Sequence, residues 1–317
     1  MPPTRPTSWS VQADLSMGQL VNWIFEPGFF ASQPVHVAIL IGGATAIVSA
    51  IVGVFTVMRG QSFAGHALTD VSTAGGSGAF LLGLSPLFGF VGFGMVGACV
   101  MELIGIRRVR GRDLATGIIL GASIGLAALL LYLDTSSGAT TGATQQILFG
   151  SIFTIETSTI PIVISFSVIA LGIIVAIYRP LLLSSVSNDI AAAKGVSLRL
   201  IGLLFMLALA VSVGLSSLTI GAILSTALLV GPAATALRVT ARLGVALIVA
   251  CVIGVGVTWL GVLLAYDSYY WGSSRQGFPV SFFIVALVFV LYLISGFSGI
   301  RAVTSRRERA VLQGAEA

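Results

Sequence analysis

TIPIVISFSVIALGIIVAIY, residues 159–178, is twenty residues long and carries no charged side chain; Glu156 precedes it and Arg179 closes it. As an α-helix, twenty residues rise about 30 Å, the thickness of a bilayer's hydrocarbon core. In lipid the backbone must satisfy its own hydrogen bonds, which leaves a helix or a closed β-barrel. Barrel strands read as short alternating segments, and this stretch does not alternate. It is a membrane-spanning helix.

Working outward, the same reading gives spans at about 35–58, 62–84, 87–105, 114–133, 159–178, 200–216, 219–237, 243–265 and 278–297. Pro34, Pro86, Pro161, Pro180 and Pro279 fall at proposed ends, where proline is tolerated, and Pro232 alone lies inside a span. Apolar residues make up 56% of the 317 positions and charged residues 9%, too little charge to cover a soluble surface. The fold class expected is therefore an all-α integral membrane protein, a polytopic bundle of about 8–9 transmembrane helices.

Charge placement orients the bundle. With nine spans, one side holds Arg59, Arg107, Arg108, Arg110, Arg112, Arg179, Lys194, Arg199, Arg238, Arg242, Arg301, Arg306, Arg307 and Arg309, and the other holds Arg5 and Arg275. The positive-inside rule then puts the N-terminus outside and the C-terminus in the cytoplasm. The net charge of +5 is accordingly a topology signal, and no nucleic-acid partner is expected. Cys99 and Cys251 lie in separate apolar runs and read as packing residues. The first sixteen residues lack the form of a secretory signal, so the first span is expected to direct insertion.

Three segments are not spans. Residues 17–32 mix Trp and Phe with Glu26 and read as an interfacial helix on the outer face. Residues 134–157 hold no basic residue and form the longest outer loop, and 180–199 is a polar cytoplasmic connector. The chain thus divides into a tail and interfacial helix (1–34), a transmembrane domain (35–297) and a basic cytoplasmic tail (298–317).

Ionisable residues that lipid disfavours carry the chemistry. A mid-helix Asp costs about 2.5–3.5 kcal/mol on insertion scales and usually faces a bundle interior or a pathway. His66 and Asp70 in the second span are four residues apart, one turn on the same face. Imidazole and carboxylate together form a partial ligand set for zinc, manganese or ferrous iron. They also make a self-satisfied polar pair, and spacing does not choose between the two. Glu102, near the end of the third span, shares their expected depth; it either joins them or pairs with Arg107 or Arg108 at the interface. The span itself, SFAGHALTDVSTAGGSGAFLLG, is too small and polar to face lipid and belongs at the centre of a bundle or along a path. Gly117, Gly121 and Gly125 form a small-residue stripe suited to tight helix packing. Gly231 and Pro232 are expected to break or kink their helix. The sole lysine, Lys194, lacks P-loop context, so any ATP is bound by another subunit.

Several stretches resemble the permease subunits of bacterial ABC importers for zinc, manganese or iron. They are FEPGFFASQPVHVAIL, GVFTVMRGQSFAGHALTDVSTAGGSGAFLLG, RRVRGRDLATGIILGASIGLAALLL, LFGSIFTI, and residues 191–240 with ALLVGPAATA near their end. The resemblance implies an ABC importer permease fold in the bacterial cytoplasmic membrane. It implies a cytoplasmic ABC ATPase, an extracytoplasmic metal-binding protein and a second permease copy as partners. It also implies no permanent cofactor, a transported divalent metal, and no catalysis by the chain itself. Ala191, Ala192, Ala193, Lys194 and Gly195 resemble the coupling helix and turn that dock into the ATPase. One departure stands out: the family's usual Gly-Asp-Ala-Leu-Ser-His is replaced here by Gly65-His66-Ala67-Leu68-Thr69-Asp70, with imidazole and carboxylate exchanged. A permease for siderophores or cobalamin, and a gradient-driven transporter or channel, are the alternatives the residues leave open.

Overall fold

The computed structural model describes residues 29–104, 109–136, 142–150, 152–271 and 277–296. Its helices are α1 (Gln33–Met58), α2 (Ser62–Leu81), α3 (Pro86–Ile104), α4 (Val109–Ser136), α5 (Ala143–Phe149), α6 (Ile160–Val186), α7 (Asn188–Ala193), α8 (Leu198–Ile220), α9 (Ser225–Val239), α10 (Leu243–Ser268) and α11 (Val280–Gly296). No strand occurs among the described residues. Each of the nine expected spans coincides with one helix. Six of them, α1, α3, α4, α6, α8 and α10, are long and apolar enough to cross a membrane, so the chain is a multi-pass membrane protein. The interfacial helix expected over 17–32 and the basic tail lie largely outside the described residues; Phe29–Ala31 form a single 3-10 turn.

Burial sorts these helices into a centre and a rim. The apolar stretch of α1 is 72% buried and that of α8 67%, against 17% for α4 and 28% for α6. Helix α8 is the axis, packed by α1, α2, α3, α6 and α9. The polar helix α2 is enclosed by α3, α4 and α8, which is the central position its composition calls for. Its approach to α3 is close enough that a Cβ on Gly75 would strike the Gly89 carbonyl, and one on Gly89 the Gly75 carbonyl.

Between α1 and α8, Ser49 Oγ lies 2.8 Å from Ser216 Oγ and 3.3 Å from Ser212 Oγ, all fully buried. Without water to exchange against, such hydroxyl pairs hold helices together at a mean of about 0.6 kcal/mol each. Ser49→Ala is expected to lower stability by about 1 kcal/mol, read as a small fall in the thermal midpoint of the detergent-solubilised chain. At the end of α1, Arg59 donates to Ser184 Oγ of α6 at 2.8 Å and stacks 5.2 Å from the Phe205 ring of α8. This contact gathers the basic ends of three helices on one side of the bundle.

Two proline expectations are corrected. Helix α6 continues through Pro180 to Val186, and α9 continues through Pro232. The lost N–H breaks only one ladder bond, and neighbouring helices hold the rest of the segment in place. Gly231 serves packing: a Cβ there would strike Val288 of α11. The actual discontinuity comes earlier, at Gly221, between α8 and α9. There α5, inside the expected outer loop 134–157, supplies Ile147 O and Leu148 O to Ala222 N (3.0 Å) and Ile223 N (3.3 Å). The short helix and the broken chain therefore close against each other, turning α9 back toward α2.

Candidate functional site

Local sequence sets up the site in two steps. The turn at Arg59–Gln61 reverses α1 into α2, and the first turn and a half of α2 carries His66, with Asp70 one turn further on. The Gly221 break then delivers the first residues of α9, Ser225 and Thr226, to that face. His66 Nδ1 lies 3.2 Å from Thr226 Oγ1. Thr226 Oγ1 is 3.4 Å from Thr69 Oγ1, which also accepts from Ser225 Oγ at 3.3 Å and donates to Gly65 O at 3.1 Å.

The His–Asp pair is asymmetric. The His66 side chain is 46% exposed and that of Asp70 17%, so the imidazole opens onto accessible space and the carboxylate is enclosed behind it. His66 Nε2 and Asp70 Oδ2 are 4.0 Å apart, too far for a hydrogen bond. Asp70 Oδ2 is buried and, among the described residues, receives no hydrogen bond. A polar atom buried this way costs about 1–3 kcal/mol, more if charged. A self-satisfied pair would have closed that gap.

Glu102 does not join them. Its carboxylate fills the space beside Gly202 on α8, with Oε1 2.5 Å from where a Cβ would stand. Among the described residues no three His, Cys, Asp or Glu side chains gather into a group. Helices α2 and α3 do pack face to face, but the rotation of α3 turns Glu102 toward α8. The side chains of Arg107 and Arg108 lie outside the described residues.

The other residues singled out in the sequence scatter by role. Helix α7 is capped by Ser187, whose Oγ accepts from Ile190 N at 3.3 Å, and ends where Gly195 N bonds Ala192 O at 2.9 Å. Ala192, Lys194 and Gly195 are exposed, while Ala191 is fully buried and anchors the segment. Gly117, Gly121 and Gly125 do not pack within this chain: no described atom comes within 4 Å of a Cβ at any of them. The buried face of α4 runs instead through Thr116, Ser123, Ala127 and Leu131, which leaves the glycine stripe pointing away. His36 sits at the end of α1, its Nε2 2.8 Å from Phe30 O.

Thr69, Ser225 and Thr226 complete the polar cluster and were not legible as site residues. Their one advance signal is a Ser-Thr pair in the least apolar of the expected spans, 219–237.

Comparison with known proteins agrees with this geometry. A model described as the ABC 3 transport family matches residues 32–297. The manganese transport system membrane protein MntC of Halalkalibacterium halodurans is 30% identical over 182 residues, 57% of this chain and 60% of that protein. The zinc transport system membrane protein TroC of Treponema pallidum is 30% identical over 171 residues, 52% of this chain and 57% of that protein. The chain spans about three-fifths of the length of the curated relatives it matches. The solved structure of PsaBC from Streptococcus pneumoniae in complex with Fab superposes with a TM-score of 0.71 at 26% identity, covering 84% of this chain and 92% of that one.

Proposed function

The chain belongs to the ABC 3 transport family, and from that premise we propose that it is the permease subunit of an importer for a divalent transition metal. The cargo is zinc, manganese or iron, and His66 with Asp70 takes it in passage. One observation carries the reading: an enclosed carboxylate oxygen without a hydrogen bond, 4.0 Å from a half-open imidazole. Metal–ligand bonds of about 2.0–2.2 Å let one ion touch both atoms across that gap. Two protein ligands give a weak site, and weakness suits a path, where an ion must leave as readily as it enters.

Partners follow from the same premise. The chain has no P-loop, so a cytoplasmic ABC ATPase supplies the energy, and the exposed face of α7 with Lys194 and Gly195 is its docking surface. An extracytoplasmic metal-binding protein delivers the ion, and a second permease copy completes the pathway. The chain performs no catalysis and holds no permanent cofactor; ATP stays on the partner. The N-terminus faces outside and the C-terminus the cytoplasm of a bacterial cytoplasmic membrane, as the Arg and Lys distribution requires. Metal uptake by cells expressing His66→Ala or Asp70→Ala at normal membrane levels tests the site. Strong loss in both is expected, and wild-type uptake in both removes it.

A further inference from the structure

Four polar groups between α2 and α9 form one chain of contacts: His66 Nδ1, Thr226 Oγ1, Thr69 Oγ1 and Gly65 O, with steps of 3.2, 3.4 and 3.1 Å. Each hydroxyl has one proton to give. That of Thr69 goes to the Gly65 carbonyl, the shorter of its two options and the stronger acceptor. In the Thr226–Thr69 contact Thr226 is then the donor, so toward His66 its oxygen is left as an acceptor. A neutral imidazole meeting an acceptor at Nδ1 must carry its proton there. Its other nitrogen, Nε2, is then a bare lone pair, 4.0 Å from the unpartnered Asp70 Oδ2.

We infer that Thr226 is a positioning residue that fixes the Nδ1–H tautomer of His66 and so keeps Nε2 open as a ligand beside Asp70. The inference rests on the reading of His66 and Asp70 as cargo ligands and adds how the site is held ready. It explains why two acceptor atoms are left facing one gap: the proton that would bridge them is held on the far side of the ring. It also ties the site to the start of α9. Thr226 lies five residues past the Gly221 break, so a displacement of α9 against α2 would release the ring and let the proton move to Nε2, where it blocks metal.

A chain with only two histidines makes this measurable. The full-length protein, labelled with nitrogen-15 histidine, placed in lipid nanodiscs and stripped of metal by a chelator, gives two imidazole signals; His36→Gln assigns them. The Nδ1–H tautomer is expected for His66 in the wild type and in Thr226→Ser. Thr226→Val keeps the shape and removes the acceptor, and is expected to populate Nε2–H. In uptake assays with manganese and with zinc, Thr226→Val should raise KM about ten- to a hundredfold, the range for partners that orient a ligating histidine. The maximal rate should hold, and Thr226→Ser should restore KM. A wild-type His66 in the Nε2–H form, or an unchanged KM in Thr226→Val at equal membrane level, overturns the inference. The tautomer is read without transport, so failure of this relay is separable from failure of the ligand assignment, which the His66→Ala and Asp70→Ala uptake measures.

Discussion

Gly221→Ala is expected to leave almost no folded chain in the membrane, seen as loss of the monodisperse peak after detergent extraction. Gly221 has φ +86° and ψ 161°, and Gly150, its neighbour across the crossing, has φ +84° and ψ 167°. That region of backbone space is essentially confined to glycine and costs other residues about 1–3 kcal/mol. The space is closed as well. A Cβ on Gly221 would strike Leu148 O, Gly150 N and Phe149 C, and one on Gly150 would strike Thr219 O and Ile220 C. These are backbone atoms, which cannot rotate aside as a side chain would. Overpacking adds about 1–3 kcal/mol, for a total of about 2–6 kcal/mol. The damage also spreads: the crossing sets the bonds from Ala222 and Ile223 to α5, and those aim α9 at α2. Gly256→Ala, in α10 with no described atom within 4 Å of the added carbon, is the control and should express normally. Wild-type yield and thermal midpoint for Gly221→Ala would show that the crossing does not hold the fold.

This crossing marks the border of what the sequence reveals. The spans were legible because lipid imposes one simple demand, twenty apolar residues in a helix, and each helix meets it locally. The central placement of α2 was legible for the same reason, since a helix of small and polar residues has nowhere else to go. Breaks were harder. Proline removes one hydrogen bond, a local effect that tertiary packing absorbed at both Pro180 and Pro232. The true break, at Gly221, is fixed by residues about seventy positions away on α5.

The site divides along the same line. The four-residue spacing of His66 and Asp70 puts both on one helix face whatever surrounds them. Their partner Thr226 is 160 residues away and reaches them only through the turn at Gly221. Helix rotation is equally invisible in one sequence. It turned Glu102 from the expected cluster to Gly202, and turned the stripe of Gly117, Gly121 and Gly125 away from every described neighbour.

Asp70→Asn is expected to abolish most metal uptake, whereas the exchange double variant His66→Asp with Asp70→His is expected to keep it. The amide preserves the size of the side chain and its hydrogen-bonding reach, so the fold should survive. What goes is the negative charge, the one group in the pair that offsets a divalent ion's loss of water. Uptake at limiting metal should drop by about a hundredfold or more, at or beyond the upper end for groups that merely orient a ligand. The exchange restores the carboxylate-first order of the resembling permeases and conserves both charge and ligand types. On one helix face the two positions remain a turn apart. The carboxylate then takes the open place beside Thr226, whose hydroxyl can donate to it, and the imidazole takes the enclosed one. With no acceptor fixing its tautomer, the ring should bind about tenfold more weakly, raising KM while leaving the maximal rate near wild type. Radiolabelled manganese and zinc uptake at matched membrane levels measures both variants. If Asp70→Asn transports normally, the charge at position 70 is not needed and the pair is structural. If the exchange is as dead as Asp70→Asn, the site depends on which ligand is enclosed, and the order His66 then Asp70 is itself the specificity determinant.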